Sequence, residues 1–557
     1  RLCDGKCLLG GEDVRHYPLE LRADGGIWLD LSDPPADVQR PRLYRSLADA
    51  FFEGDWGHAG RTIERLLTGG ESPRAILAFG CTWAAEHTPY GFDHGLAVAA
   101  DVAALLDRAT VAHENGGQPA GDDGVDNADD DLVGVLLLQA LSLMVDPNLR
   151  RPQRPVAAPN DSDCQLAARG DWAAVEAELR RRIEAEDLAG SESLVQAAIA
   201  AGAGPGPVFT WLTHAATDHF LDYAHAEIYT VKAEELLDAI GWDHAHPVVT
   251  SLVTSIVYGT REDTLPYMRA YDRAMAPHRP RLSEWAASPP ATAGADRPLG
   301  AAALIAAVVD GDLDQALAAV AGALDRGAEP SRIALALAVA AAHRMLRFDH
   351  RLELDDAISE GWLNVTHTLT HADAVRESVR RRPSAAALRG LFHSARFIQH
   401  LAVCDLPPDE RLSLIEPPAT ADSASSGTPA VDLTQALASS DAPGAMAAVR
   451  RGLAADPSSV AENAAISEVL RRHALNDRAS LPIFVAHYVK TTMAALRLSR
   501  AVLSDPELSA AEHRDLPLLA TVRFLVSPLQ ERRITRRAKV ARTFIRAGQM
   551  QTKRLGY

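Results

Sequence analysis

The spacing of hydrophobic residues along the chain changes once, after Pro34 and Pro35. Before that point, residues 16–21 (HYPLEL) and 27–31 (IWLDL) alternate between apolar and polar side chains, which is typical of β-strands. Turn-forming sequences stand at 4–6 (DGK) and 23–26 (ADGG). The pattern predicts a β-hairpin near the amino end, and a hairpin of this size is not stable alone.

From residue 42 onward, apolar residues recur at helical spacing. Residues 42–70 (RLYRSLADAFFEGDWGHAGRTIERLLTGG) show this spacing and close on paired glycines, as helices commonly do. The Ala-rich stretches 299–309 and 333–343 are too short for a membrane span and are flanked by charge, so we expect buried helices there. The fold class is therefore predicted to be mainly α.

One order of features recurs four times in the helical region. The motifs are GDWGHAGRTIERLL at 54, GDWAAVEAELRRRI at 170, GDLDQALAAVAGALDRG at 311 and SDAPGAMAAVRRGLAADP at 440. After each motif comes a second helix, and then a third opened by an aromatic residue and a histidine, which are Phe92 and His94, Tyr223 and His225, Phe348 and His350, and Phe484 and His487. Aspartate before an apolar stripe is N-cap chemistry that any short-loop helical array needs. The repeated order nevertheless predicts a helical-repeat array over residues 42–557.

The net charge and the cysteine content limit which binding partners and which cellular compartment we expect for this protein. The net charge of the 557 residues is −18, which disfavours nucleic acid as a partner. No apolar stretch is long enough for a membrane span, so we expect no membrane partner. Five thinly spread cysteines favour a reducing cytoplasm over a disulfide framework.

The chain starts at Arg1 inside a folded-looking segment, which indicates a fragment. The basic stretch 531–557 is interpreted as a solvated tail helix, with docking to an acidic surface as the alternative.

The segment DGKCLLGGEDVRHYPLELRADGGIWLDL resembles the closing strands of a Rieske-type ferredoxin domain. The resemblance implies that residues 1–33 are the end of a domain that holds a [2Fe-2S] cluster in the full-length protein. The C-x-H and C-x-x-H loops that supply two Cys and two His ligands are absent from this sequence, so we expect this chain to bind no cluster. Cys3 and Cys7 match no cluster spacing and are interpreted as turn and strand residues, as is His16.

Histidines and acidic residues cluster where a metal ion could bind. On a continuous helix, His214, Asp218, Asp222 and His225 would occupy one face, and His367 and His371 stand four residues apart, as metal-binding pairs on helices do. Helical bundles build non-haem iron sites from such inward-facing side chains. The alternative is that these residues form a solvated face or are hydrogen-bonded core histidines.

Three helical segments, THAATDHFLDYAHAEIYTVKAEELLDAIGW, VVTSLVTSIVYGTREDTLPYMRAY and GWLNVTHTLTHADAVRE, resemble the questin oxidase-like family, most clearly over residues 200–450. The resemblance implies an all-helical oxidoreductase that opens aromatic polyketide rings with NADPH as electron source. It also implies candidate roles for His214, His225, His367 and His371.

The sequence therefore predicts an oxidoreductase in which a Rieske module supplies electrons to a helical domain that oxidises an organic substrate, with an aromatic or polyketide-like compound as the candidate. The predicted catalytic residues are His94, His225 and His350 around a shared cavity. The predicted metal ligands, with non-haem iron as the candidate ion, are His214, Asp218, His225, His367 and His371. Expected partners are a small organic substrate and a redox donor protein. The alternatives are a non-enzymatic helical scaffold that binds a partner in its groove and a relay that only passes electrons on.

Overall fold

The computed structural model describes residues 19–29, 35–114, 130–287, 298–355, 360–415, 427–455, 465–476 and 479–531, with the single positions 538 and 542. Cys3, Cys7, His16 and most of the basic carboxyl-terminal stretch lie outside the described residues. The chain divides into two compact units, which are 1–156 with 235–251, and 157–234 with 252–557.

A two-stranded antiparallel hairpin stands near the amino end, where the period-two pattern predicts it. Strand β1 is Leu19–Leu21 and β2 is Ile27–Leu29, with Leu19 opposite Leu29 and Leu21 opposite Ile27. The turn between the strands requires a positive φ of 82° at residue 25, and Gly25 adopts this conformation without the steric strain that a side chain would cause. All six strand residues are exposed.

The rest of the described chain is helical, which confirms the expectation of a mainly α protein. In chain order, the α-helices are α1 Ala36–Glu53, α2 Trp56–Thr68, α3 Pro73–His87, α4 His94–Glu114, α5 Asp130–Val145, α6 Asp161–Ala168, α7 Trp172–Glu184, α8 Leu188–Ala200, α9 Pro205–Asp218, α10 His225–Ile240, α11 Ala245–Tyr258, α12 Arg269–Met275 and α13 Arg281–Ala287. They continue as α14 Ala301–Asp310, α15 Leu313–Asp325, α16 Pro330–Arg347, α17 Trp362–Arg381, α18 Ala385–His400, α19 Pro408–Ile415, α20 Pro429–Ala438, α21 Ala442–Ala455, α22 Ala465–Ala474, α23 Pro482–Leu503, α24 Ala511–Arg514 and α25 Leu516–Val526.

Short 3-10 helices connect several of these elements. They are Asp146–Asn148, Asp222–Ala224, Trp242–His244, Glu262–Thr264, Pro266–Met268, His350–Leu354 and Leu401–Cys404. Two of these 3-10 helices, at 222–224 and 350–354, lie where the repeat pattern predicts the start of the third helix of a repeat. None of the described helices is both long and apolar enough to cross a bilayer.

The four repeat motifs begin helices α2, α7, α15 and α21 at the same offset. An aspartate caps each start through a backbone N–H three residues on, and the caps are Asp55, Asp171, Asp312 and Asp441. In each case the preceding helix packs against the capped one. The predicted helix starts are therefore confirmed, while the evolutionary repeat itself stays a prediction.

The core of the second unit is built around α16, which packs against α14, α17, α18 and α25. Every residue from Ile333 to Ala342 is buried, which confirms the expectation of a buried helix there. Beside it, Trp362 is fully buried and packs its ring against those of Phe348 and Phe524, with centroids 4.7 and 5.3 Å apart. Alanine side chains on α16 let these neighbouring helices approach closely.

One buried ion pair joins three of these elements. The Arg344 guanidinium donates to Asp405 over 2.5 Å, to the carbonyl of Ile398 over 2.9 Å and to that of Val309 over 2.6 Å. Burial lowers the pKa of Arg344 and raises the pKa of Asp405. Removing one partner would therefore leave an unpaired charge in the core.

We expect Arg344→Met to lower the free energy of unfolding by about 3–5 kcal/mol, because it leaves the buried carboxylate of Asp405 with the more distant Arg411, 3.7 Å away, in place of a hydrogen-bonded partner. The exposed Glu468–Arg472 pair on α22 provides the matched control, and Arg472→Met should cost about 0.5 kcal/mol or less. Guanidinium denaturation of the full chain measures both. The double variant Arg344→Met/Asp405→Leu should be more stable than the single one, and equal losses in the two would contradict this account.

Candidate functional site

A strained turn precedes the first residue of α10. Helix α9 ends at Asp218, and Asp222, Tyr223 and Ala224 then have φ values of 46°, 52° and 69°. Such left-handed backbone is costly for residues other than glycine, and strain of this kind concentrates at functional sites. The turn is held in place by the Asp222 N–H, which donates to the carbonyl of Thr260 over 2.8 Å.

The strained turn fixes the ring of His225. Nδ1 of His225 donates to the backbone carbonyl of Asp222, and a carboxylate oxygen of Asp222 lies 3.4 Å from the same nitrogen. Metal-binding histidines are commonly oriented by such a bond, which directs Nε2 away from the backbone. Burial, together with the positive charge of Lys490, lowers the pKa of His225 although Asp222 raises it. The neutral imidazole is the form that binds a metal.

Two further histidines lie next to His225 in the second unit. The ring centroid of His367 on α17 is 4.4 Å from that of His225 and 4.6 Å from that of His487 on α23. A hydrogen bond of 2.8 Å joins Nδ1 of His487 to the Thr366 hydroxyl and fixes the orientation of the ring. His367 and His487 are buried.

A buried amine completes this group. Nζ of Lys490, one helical turn after His487, lies 3.0 Å from Nε2 of His367, and only 2% of Lys490 is exposed. Burial, and then the charges of Lys490 and His225, lower the pKa of His487 far below its usual range. We call His225, His367, His487 and Lys490 the histidine cluster.

The histidine cluster has the chemistry of a metal site. A ring nitrogen of His225 and one of His367 lie within 4.8 Å of each other, and bonds of about 2.0–2.1 Å from both to one ion need little movement. Imidazole nitrogen suits zinc, copper, iron and nickel. The residues present therefore fit a transition metal better than Ca²⁺ or Mg²⁺, which prefer oxygen ligands.

A second group of interacting side chains comes from residues close to His225 on α10 and to His367 on α17. The Glu227 carboxylate accepts a 3.0 Å hydrogen bond from Nε2 of His371, and its other oxygen accepts one from Nδ1 of His393 on α18. All three side chains are buried. Burial alone raises the pKa of Glu227, but its electrostatic attraction to His393 and His371 and the hydrogen bonds from them outweigh burial and lower the pKa to about 2. Glu227 is therefore a fixed carboxylate between two imidazoles.

Gly390 on α18 makes room for this carboxylate. A Cβ at this position would lie 2.8 Å from Oε2 of Glu227 and 3.1 Å from Cγ2 of Val375. The first distance is shorter than real Cβ contacts, so α18 reaches Glu227 only because residue 390 has no side chain.

The predicted ligands His214 and Asp218 are occupied by other partners. Nδ1 of His214 is paired with Glu176, and Asp218 binds Arg180 over 2.5 Å and Arg389 over 3.0 Å. The expectation that they share one helix face with His225 is wrong, because α9 ends at Asp218 and the strained turn intervenes. Among the predicted ligands of the second unit, only His225 and His367 contact each other, while His371 binds Glu227.

The three predicted catalytic residues belong to different elements. His350 begins a 3-10 helix and is exposed, with no hydrogen bond or ring contact to His225 or His367 in the described part of the chain. His94 is the first residue of α4, in the first unit. Of the two that belong to the second unit, His225 is in the histidine cluster and His350 is not.

Sequence reasoning missed Lys490, Glu227 and His393 as site residues. His487 did carry a signal, because it follows Phe484 at the repeat position that His225 occupies in the second repeat. Lys490 stands three residues after His487, on the same helix face. Glu227 and His393 carry no local motif, since 166 residues separate them.

No family model, curated protein or solved structure matches this chain. The chemistry of the site is therefore argued from its own residues.

The Glu227 carboxylate should make stability depend on pH. Because its pKa is lower in the folded chain than the ordinary value of about 4.3, ionised Glu227 favours the folded state above that value, by about 3 kcal/mol, and the contribution is lost as pH falls toward 2. We expect the stability difference between the unaltered chain and Glu227→Gln to shrink between pH 6 and pH 3. Urea denaturation at several pH values measures it.

Glu468→Gln, at a partly exposed position of α22, reports what losing a carboxylate near the surface does to the same curve. A Glu227→Gln difference that stays constant with pH would show that His371 and His393 do not hold an ionised carboxylate.

Proposed function

We propose that the second unit is a metal-dependent oxidoreductase acting on an organic substrate, with His225 and His367 among the ligands of a non-haem iron. The observation that carries the proposal is the approach of ring nitrogens of His225 and His367 to within 4.8 Å of each other, with the ring of His487 beside them. The bond from Nδ1 of His225 to a backbone carbonyl fixes the orientation of its ring, as is common for metal-binding histidines. A bound iron supplies one-electron redox chemistry.

The chain's own residues prepare the ligands for such an ion. The strained turn and Thr366 orient two of the rings, and burial with the charge of Lys490 keeps them neutral. Lys490 places a cation or amine donor beside His367, where it can hold an anionic group of a substrate.

The electron source is part of the same proposal. The β1–β2 hairpin supports a Rieske module at the amino end of the full-length protein, with its [2Fe-2S] cluster held by residues outside this sequence. The buried thiol of Cys81, which forms no disulfide among the described residues, supports a reducing compartment such as the cytoplasm. We include His94 as a candidate catalytic residue because it occupies the same repeat position as His225. A His94→Ala variant tests this role.

The scaffold alternative predicts histidines that face solvent or have only structural partners. His367, His371, His393 and His487 are each at most 5% exposed, and they contact one another or a shared carboxylate. Buried imidazoles that contact one another favour a catalytic or metal-binding protein over a scaffold that binds a partner in its groove.

We expect about one iron per chain after anaerobic expression, since the histidine cluster offers a single set of nitrogen ligands. His225→Ala and His367→Ala should each lose most of it, because a ligand is removed from an already neutral set. Elemental analysis of the purified full chain gives the metal content, and circular dichroism checks that each variant is folded.

His214→Ala is the matched control, because His214 is paired with Glu176 outside the histidine cluster. It should keep its iron. Iron retained in folded His225→Ala, or no transition metal in any preparation, would refute the proposed site and leave the scaffold as the better reading.

A further inference from the structure

A cavity of about 690 Å³ lies in the second unit, on the side of His393. Its apolar lining includes Ile183, Ala215 and Met275, and its polar lining includes His393 and Tyr271. This volume falls in the range of pockets that bind small organic molecules. None of the three cluster histidines lines it.

His393 presents one free nitrogen to the cavity. Its Nδ1 is bound to Glu227, and its remaining contacts among the described residues are with the rings of Phe220 and Tyr271. Nε2 is therefore the nitrogen left to accept a hydrogen bond. A histidine whose Nδ1–H is held by a buried carboxylate is the usual form of a general base, because the carboxylate stabilises the imidazolium that forms.

The hydroxyl of Tyr271 has no hydrogen-bond partner among the described residues. Tyr271 is 3% exposed, and its hydroxyl makes no hydrogen bond in the described part of the chain. Its ring centroid lies 5.9 Å from that of His393. An unsatisfied buried hydroxyl is costly, so a polar ligand atom is the natural partner. Burial raises the pKa of Tyr271, which keeps the hydroxyl a neutral donor.

The charges around the cavity favour an anion. Arg180 and Arg389 share the single carboxylate of Asp218, which leaves one positive charge in excess. Nε of Arg389 is also buried without a partner among the described residues. The other charges on the wall are paired, since Arg181 binds Glu178, Arg279 binds Asp272, and Glu184 binds His219.

We propose that this cavity binds a hydroxylated aromatic acid, with its carboxylate on Arg389 and its hydroxyl between Tyr271 and Nε2 of His393. Arg389 and His393 lie one turn apart on α18, so the two polar groups of the ligand are separated by about the width of a ring system. Proton transfer breaks the ligand O–H bond and forms N–H at Nε2, while the electron pair stays on the ligand oxygen as an aryloxide. The proposal does not depend on a metal in the histidine cluster.

The probe for this site is 6-hydroxy-2-naphthoate, whose absorption band moves to longer wavelength when the hydroxyl ionises. Its methyl ester is the neutral comparison. Isothermal titration of the full chain, as purified and after treatment with a chelator, should show the acid binding at least about tenfold more tightly than the ester. The bound hydroxyl should ionise about one to three pH units below the free one.

Tyr271→Phe is the sharpest variant, because the hydroxyl it removes makes no hydrogen bond to any residue that the structure describes. It should weaken binding of the acid about five- to tenfold without lowering the denaturation midpoint. His393→Gln should abolish the shift in ionisation, and Arg389→Met should remove the preference for acid over ester. Arg472→Met, on exposed α22, controls for the general loss of one positive charge.

Two results would overturn the proposal. The first is equal binding of acid and ester to the unaltered chain, or no binding of either. The second is unchanged affinity in Tyr271→Phe together with an unchanged ionisation in His393→Gln. Because the titration is repeated on metal-free protein, binding that persists there supports the cavity even if the metal analysis fails.

Discussion

The carboxylate of Glu227 is the interaction on which the arrangement of the second unit's interior depends. It accepts hydrogen bonds from His371 on α17 and His393 on α18 while belonging to α10, so one side chain joins three helices. A buried carboxylate is costly unless its oxygens are bonded to donors, and both oxygens here have one. Any displacement of α17 or α18 would break a bond to a charged group, which is why the helices have a defined register.

That register also positions the histidine cluster. His225 precedes Glu227 by two residues, and His367 precedes His371 by one turn, so the bonds made by Glu227 and His371 set the height at which His225 and His367 face each other. The strained turn at Asp222, Tyr223 and Ala224 persists because both of its ends are tied down. On one side is the bond from Asp222 to Thr260, and on the other is the buried start of α10.

The histidine cluster and the group around Glu227 differ in the sign of the charge that lies beside their imidazole rings, although both groups use residues of α10 and α17. Lys490 places positive charge beside His367 and His487, which favours neutral rings able to donate lone pairs. Glu227 instead accepts hydrogen bonds from His371 and His393. Two histidines four residues apart on α17 therefore have different partners, since Lys490 lies beside His367 and Glu227 bonds to His371.

Sequence reasoning predicted the hairpin, the helix starts at Asp55, Asp171 and Asp312, and the buried helix at 333–343, because each depends on local spacing and capping. It named His225 and His367 as candidates from helical spacing, from the repeat position of His225 and from the family resemblance. It failed where helix continuity was assumed, since nothing in the segment 214–225 announces the left-handed turn after Asp218. It also failed for Glu227 with His393, whose pairing is set by tertiary packing over 166 residues.

The clearest example of such a long-range constraint is Gly390. In the sequence it is one glycine within a helical pattern, where glycine costs about 1 kcal/mol relative to alanine. In the structure a methyl group there would lie 2.8 Å from Oε2 of Glu227. The local cost of glycine is thus offset by the bonds that its absent side chain permits. A helix-weakening residue on α18 is explained by a carboxylate on α10, and no reading of α18 alone could have supplied that reason.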